Sequence, residues 1–167
     1  MNATTNSCKI VTRAPEETRE LGRHVGALAQ AGDVYLLSGN LGAGKTCFTQ
    51  GIARGLGIED YVMSPSFVIL REHQGRLQLY HIDLYRLEGV AETADLGLDD
   101  YLFGQGVCVV EWAERARSVL PAEHLAVNIE YAGDEERCFQ IEAKGPRYHD
   151  IIGQLKKLYG LQTERCS

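Results

Sequence analysis

Val34-Tyr35-Leu36-Leu37-Ser38-Gly39-Asn40-Leu41-Gly42-Ala43-Gly44-Lys45-Thr46 is the stretch that decides the fold. Its first four residues are an uninterrupted apolar run, the pattern of a strand covered on both faces, as in a parallel sheet. Residues 39–46 then match G-x-x-x-x-G-K-[ST], and a helical pattern continues from Lys45 to about Leu56, where Gly55 and Gly57 supply the stop. Strand, glycine loop and helix in that order form a phosphate-binding loop. Glycines let the backbone curl so that successive N–H groups face phosphate oxygens, and the start of the helix adds the positive end of its dipole. Lys45 is placed to reach β- and γ-phosphates, and the Thr46 hydroxyl to bind magnesium. From average residue usage, a chance match is on the order of half a percent before the flanking pattern is counted. The stretch therefore predicts a site for a nucleoside triphosphate with magnesium.

Working outward, residues 8–12 read as a short strand and Ala14-Pro15-Glu16-Glu17 as a helix start, with proline in the first turn and acids at the positive dipole end. Leu21, Val25, Leu28 and Ala29 keep helical spacing, and Gly32 is the expected stop. Phe67-Val68-Ile69-Leu70 and Leu77 to Ile82 read as two strands joined through Gln74-Gly75. Residues 90–103 suggest short helices. Val107-Cys108-Val109-Val110 repeats the buried-strand pattern and ends in Glu111-Trp112, and a short helix near 113–119 is expected to stop at Pro121. Residues 126–131 and 137–141 alternate like paired strands about Gly133-Asp134, and 147–159 predicts a last helix. The sum is a single α/β, P-loop NTPase-like domain spanning 1–167, with a mixed, mostly parallel sheet, flanking helices and β-hairpin additions. About 1–7 and 160–167 are expected to be flexible tails.

Composition bounds the function. The 167 residues, 44% hydrophobic and 24% charged, are enough for one core without metal or disulfide staples. Seventeen basic residues against 23 acidic ones give a net charge of −6. That balance is unsuited to gripping nucleic acid alone, because phosphate neutralisation supplies most of such affinity. The five cysteines, Cys8, Cys47, Cys108, Cys138 and Cys166, form no CxxC pair and no Cys/His zinc spacing, so reduced thiols, with no structural zinc or disulfide, are expected. No signal pattern and no membrane-length apolar run is present in the sequence, and a cytoplasmic protein is expected.

A phosphate loop needs a carboxylate at a neighbouring strand end to orient magnesium or its waters. Glu111 qualifies because it ends an apolar run. Asp83 follows His81-Ile82, but aspartate commonly ends strands, and pattern alone leaves its role open. His81 on a strand reads as a hydrogen-bonded structural histidine, Trp112 as core or pocket wall, and Tyr80 and Tyr85 as packing. Ser64-Pro65-Ser66, after the loop helix, reads from pattern as a plain turn.

Taken in order, Gly-x-Leu-Gly-Ala-Gly-Lys-Thr (39–46), Ser-Pro-Ser-Phe (64–67), His-Ile-Asp-Leu-Tyr-Arg-Leu (81–87), Gly-Leu-Asp-Asp-Tyr-Leu (97–102) and Glu-Trp-Ala-Glu (111–114) resemble one family. It is TsaE (YjeE), the bacterial ATPase of tRNA threonylcarbamoyladenosine synthesis, and the resemblance runs from about Thr12 to Ile141. It implies that Thr46 and Glu111 are magnesium ligands and that Asp83 positions water or supports the magnesium waters, so that Lys45, Asp83 and Glu111 form the catalytic set. It implies nucleotide contacts from Gly39, Asn40, Leu41, Gly42, Ala43, Gly44, Lys45 and Thr46, with Trp112, Glu114 and Pro15 beside the nucleotide. Ser64 and Ser66 match a switch I-like loop, and 97–102 a switch II-like region. ATP and Mg2+ are the implied cofactors. TsaD and TsaB are the implied partners, with tRNA met only indirectly through their complex. Three positions depart from the family pattern. Asn40 stands where an acid is usual, which bears on hydrolysis rate; Ser66 replaces Thr; Cys47 replaces a common Thr.

Two other functions use such a loop. A small-molecule kinase would carry an arginine-rich lid, whereas the arginines here are dispersed. A GTP switch would carry Asn-Lys-x-Asp after a strand, and Asn128 is followed by Ile129.

Overall fold

The structure is a computed structural model, and residues 6–60, 62–63, 69–87 and 96–161 are described. Strand β1 (Ser7–Thr12) leads to helix α1 (Pro15–Ala27), β2 (Val34–Gly39) and α2 (Lys45–Gly55). The hairpin β3 (Leu70–Gln74) and β4 (Gln78–Asp83) follows, then a single helical turn α3 (Asp99–Leu102) and β5 (Val107–Glu111). Two 3-10 turns, Ala113–Arg115 and Arg117–Val119, lead to the hairpin β6 (His124–Tyr131) and β7 (Arg137–Lys144), and α4 (His149–Leu158) closes the chain.

All seven strands form one sheet in the order β1-β7-β6-β2-β5-β4-β3. The four central strands β6, β2, β5 and β4 are mutually parallel, and the hairpin partners outside them are antiparallel. One face, carrying Tyr35, Leu37, Val107, Val109 and Ile129, packs under α1, α2 and α4. The opposite face of β2, β5 and β4 carries Val34, Leu36, Cys108, Val110 and Ile82, and is covered by Leu84, Leu98, Leu102, Ala113 and Leu120. Two-sided burial explains why β2 and β5 read as unbroken apolar runs. Strand β7 alternates because Gln140 and Glu142 face water while Phe139 and Ile141 are buried.

Helix α1 lies directly on α2 because glycines remove the side chains between them. A Cβ on Gly22 would stand 2.3 Å from the Phe48 carbonyl oxygen, and one on Gly51 2.1 Å from that of Arg19. At the end of β2 away from the loop, buried Asp33 accepts from Arg147 Nε and Nη2 (2.9 and 2.7 Å), Tyr35 Oη (2.8 Å) and the Gln30 amide (2.9 Å). This ties the start of β2 to the segment before α4.

Four boundaries differ from the sequence reading. Helix α1 ends at Ala27, and Gly32 (φ +89°) instead shapes the turn into β2. Strand β3 covers 70–74, continuing past the Leu70 at which the sequence reading stops: Ile69 has φ +65°, and pairing with β4 (Leu70 opposite Ile82) sets the register of this half-exposed edge strand. Hydrophobicity does not locate a strand that buries little. The 113–119 helix is a pair of 3-10 turns. The expected tail bounds also differ at residues 7 and 161, since Ser7 pairs with Glu142, and Leu161 donates its amide to Lys156 O (2.9 Å) and packs on the core. Phe67-Val68, Ser64, Ser66 and the first part of the 90–103 segment lie outside the described residues.

Candidate functional site

Strand β2 delivers the chain to Gly39 at the C-terminal edge of the parallel strands, where crevices of such sheets hold ligands. The next residues turn back so that α2 begins at Lys45. Gly39, Gly42 and Gly44 have φ of +143°, +79° and +110°, a region costly for residues with a Cβ. At Gly39 space is lacking too, because a Cβ would stand 2.5 Å from the Ile129 carbonyl oxygen. The loop is pinned from outside as well as within. Tyr131 Oη donates to Leu41 O (2.7 Å) and Arg137 Nε to Ala43 O (3.1 Å), with the Arg137 guanidinium 4.5 Å over the Tyr131 ring. Both residues come from the β6–β7 hairpin, and nothing in the sequence pattern near the loop signals them.

Lys45 folds back along the loop. Its Nζ donates to Gly39 O (2.6 Å) and Asn40 O (2.9 Å) and lies 4.0 Å from the Trp112 ring centroid. Burial pushes its amine below the ordinary lysine value, against the opposing pull of Glu111, Glu114 and Asp83. Burial also raises the Cys47 thiol, whose Sγ lies 3.4 Å from Pro15 O.

Asp83 and Glu111 are paired across the parallel strands β4 and β5 and are 4% and 2% exposed. Thr46 Oγ1, in the first turn of α2, donates toward Glu111, 3.1 Å from Oε1 and 3.2 Å from Oε2. His81 Nε2 is 2.5 Å from Glu111 Oε2, and Thr49 Oγ1 is 3.4 Å from the same oxygen. Asp83 Oδ1 accepts the Tyr85 amide (2.8 Å), and the Tyr85 ring packs against Trp112 at a 47° tilt with the ring centroids 4.9 Å apart. Trp112 holds φ +60°, a left-handed conformation costly for a bulky residue. That turn swings its ring over Lys45 directly after the β5 carboxylate. A cleft of 420 Å³ opens here, bounded by the loop, Asp83, Arg86, Glu111 and Trp112.

The sequence-derived residues Lys45, Thr46, Asp83, Glu111 and Trp112 thus converge on one cleft. Pro15 and Glu114 are exposed and stand outside its lining: Pro15 O lies 3.4 Å from Cys47 Sγ in α2, and Glu114 acts on Lys45 by charge. Thr49, Tyr131, Arg137 and Arg86 are additions from the structure, as is the Glu111 contact of His81, which from pattern reads as a hydrogen-bonded structural histidine. Of these, the His81 contact was legible, since period-two spacing puts that residue on the Asp83 face of β4. Among the described residues no group of three or more His, Cys, Asp or Glu could hold a metal by itself. An oxygen-seeking cation would find Thr46 Oγ1 and Glu111 as protein donors.

A parallel-centred sheet, a glycine loop between β2 and α2, and carboxylates on the neighbouring strand ends define a P-loop NTPase-like domain. The family model described as "Threonylcarbamoyl adenosine biosynthesis protein TsaE" matches residues 12–139. Over 144 residues the chain is 49% identical to the tRNA threonylcarbamoyladenosine biosynthesis protein TsaE of Bacillus subtilis (strain 168), covering 86% of this chain and 90% of that one. Identity to the protein of the same name from Treponema pallidum (strain Nichols) is 42% over 129 residues, covering 77% and 96%. The crystal structure of Bacillus subtilis YdiB superposes with a TM-score of 0.79 at 43% identity, covering 92% of this chain and 96% of that one. The chain belongs to the TsaE family.

Proposed function

We propose that this protein is an ATPase that binds Mg-ATP in the 420 Å³ cleft and supports threonylcarbamoyladenosine modification of tRNA through a TsaD–TsaB complex. The observation that carries the reading is the contact between Thr46 and Glu111, 3.1 Å apart across α2 and β5, beside a buried lysine on the same loop. Two hard oxygen donors suit magnesium, which takes its remaining ligands from phosphate and water. When bound, magnesium neutralises charge that develops on the β- and γ-phosphate oxygens.

The chain's own groups do the rest. Loop amides held open by Gly39, Gly42 and Gly44 offer donors to phosphate. Lys45 exchanges two loop carbonyls for phosphate oxygens, a stronger, charge-assisted contact. Asp83, buried beside Glu111, is placed to orient water. Trp112 and Tyr85 wall the cleft and exclude solvent from the ammonium. The net charge of −6 favours protein partners over direct capture of tRNA.

The test is ATP hydrolysis by the full chain with and without TsaD and TsaB from the same source. Slow turnover alone and stimulation by the pair are expected. Unchanged turnover together with no complex on gel filtration refutes the partnership, and phosphate transfer to a metabolite would establish a kinase instead.

A further inference from the structure

His81 occupies the layer just beneath the two carboxylates. It shares their face of the sheet with Leu79, Val107 and Val109, and it is fully buried. Its Nε2 makes the shortest contact to Glu111, 2.5 Å from Oε2. The other donors to this carboxylate are divided. The single Thr49 hydroxyl proton is shared with Lys45 O (2.8 Å), the nearer acceptor, and the Thr46 proton can go to only one of two nearly equidistant oxygens. Glutamate's terminal torsion is broad, so rotamer preference does not set the plane of the carboxylate. A fixed donor must set it.

A second buried histidine shows what a structural role looks like here. His124 Nδ1 bonds the backbone oxygen of Pro121 at 2.9 Å, and its Nε2 has no partner among the described residues. In His81 too one ring nitrogen, Nδ1, has no partner among the described residues, but the hydrogen bond of the ring goes to the Glu111 carboxylate rather than to backbone. Its placement therefore serves the carboxylate.

We propose that His81 is a positioning residue that holds Glu111 Oε2 and so leaves Oε1, with Thr46 Oγ1, for the divalent cation. This rests on the magnesium reading of Thr46 and Glu111 and adds the group that orients the ligand. Partners of metal ligands commonly tune metal affinity by about 10–100-fold.

Trp112 is the single tryptophan and its ring lies 4.0 Å from Lys45 Nζ, so its fluorescence reports on the cleft. The probe is an ATP analogue with nitrogen bridging the β- and γ-phosphates, titrated first in EDTA and then with Mg2+. His81→Phe is expected to raise the Mg2+ midpoint roughly 10–100-fold while analogue binding in EDTA is unchanged. His81→Gln, whose amide nitrogen reaches the Nε2 position, is expected to restore the midpoint, whereas the shorter His81→Asn is not. An unchanged midpoint in His81→Phe, or an equal loss with and without Mg2+, overturns the proposal. If His81→Phe does not fold by circular dichroism, the Gln and Asn variants decide: equal midpoints overturn it. A wild-type protein whose fluorescence shows no Mg2+ dependence refutes the underlying magnesium reading instead.

Discussion

Lys45→Met separates what the lysine does for the fold from what it does for the ligand. Lys45 is 5% exposed, and its charge is held by bonds of 2.6 and 2.9 Å to Gly39 and Asn40 carbonyls. Bonds to a charged donor contribute about 1.5–3 kcal/mol each. Against them stands the desolvation of the ammonium, and the lowered pKa says that desolvation outweighs the local attraction. Asn40 is exposed and Gly39 half-buried, so water can satisfy the freed carbonyls. Methionine keeps most of the stem under Trp112. The unliganded variant is therefore expected within about 1 kcal/mol of wild type, roughly 2–4 °C in Tm for a chain of this size. The ligand response differs sharply. At a hundredfold excess over Kd, a ligand stabilises by about 2.7 kcal/mol, so Mg-ATP is expected to raise the wild-type Tm by roughly 5–11 °C. The variant is expected to show no rise. A thermal melt with and without Mg-ATP reads both effects, and a variant that keeps the wild-type shift refutes the role of Lys45.

The same variant carries a pH signature. The folded Lys45 titrates below its unfolded value of 10.5, so between the two values the unfolded chain holds more protons. Wild-type stability gains from this group as pH rises through that window, and the gain is lost as pH falls through the folded pKa. The difference in Tm between wild type and Lys45→Met is expected to move in favour of wild type towards alkaline pH; the opposite slope contradicts the burial argument.

Glu111→Ala is expected to reduce hydrolysis by about 100-fold or more while nucleotide binding weakens far less, because the cation matters most where charge develops; full partner-stimulated turnover in this variant would remove Glu111 from the site. Arg147→Met leaves Asp33, 2% exposed, with Tyr35 and the Gln30 amide as its remaining donors. Breaking such a pair costs about 3–5 kcal/mol when fully buried, and with Arg147 partly exposed about 2–4 kcal/mol is expected. Denaturant unfolding reads it, with the Mg-ATP response retained because Asp33 sits at the opposite end of β2; a change below about 0.5 kcal/mol would show the pair to be idle.

The fold was legible where burial is two-sided or chemistry is local. Strands β2 and β5 announced themselves because both faces are covered, and the loop between β2 and α2 because a phosphate cradle demands glycine, lysine and hydroxyl at set spacing. The sequence reading does not follow strand β3 beyond Leu70 because an edge strand takes its register from its partner, not from its own hydrophobicity. The segment 113–119 was read as one helix where the chain makes two 3-10 turns, since a run of seven residues does not distinguish them.

The sequence by itself named the candidates: the loop from Gly39 to Thr46, Glu111 as a strand-end carboxylate, and Asp83 with its role left open by pattern alone. Only the tertiary structure decided their company. Parallel pairing of β4 with β5 puts Asp83 opposite Glu111, a relation between residues 28 positions apart that no local pattern encodes. It also brings Tyr131 and Arg137 from a distant hairpin onto loop carbonyls, and His81 onto the carboxylate of Glu111. These contacts depend on strand order and register, which are set by the burial of whole faces. A side chain's type fixes what it can donate or accept, but the packing of the sheet fixes to whom.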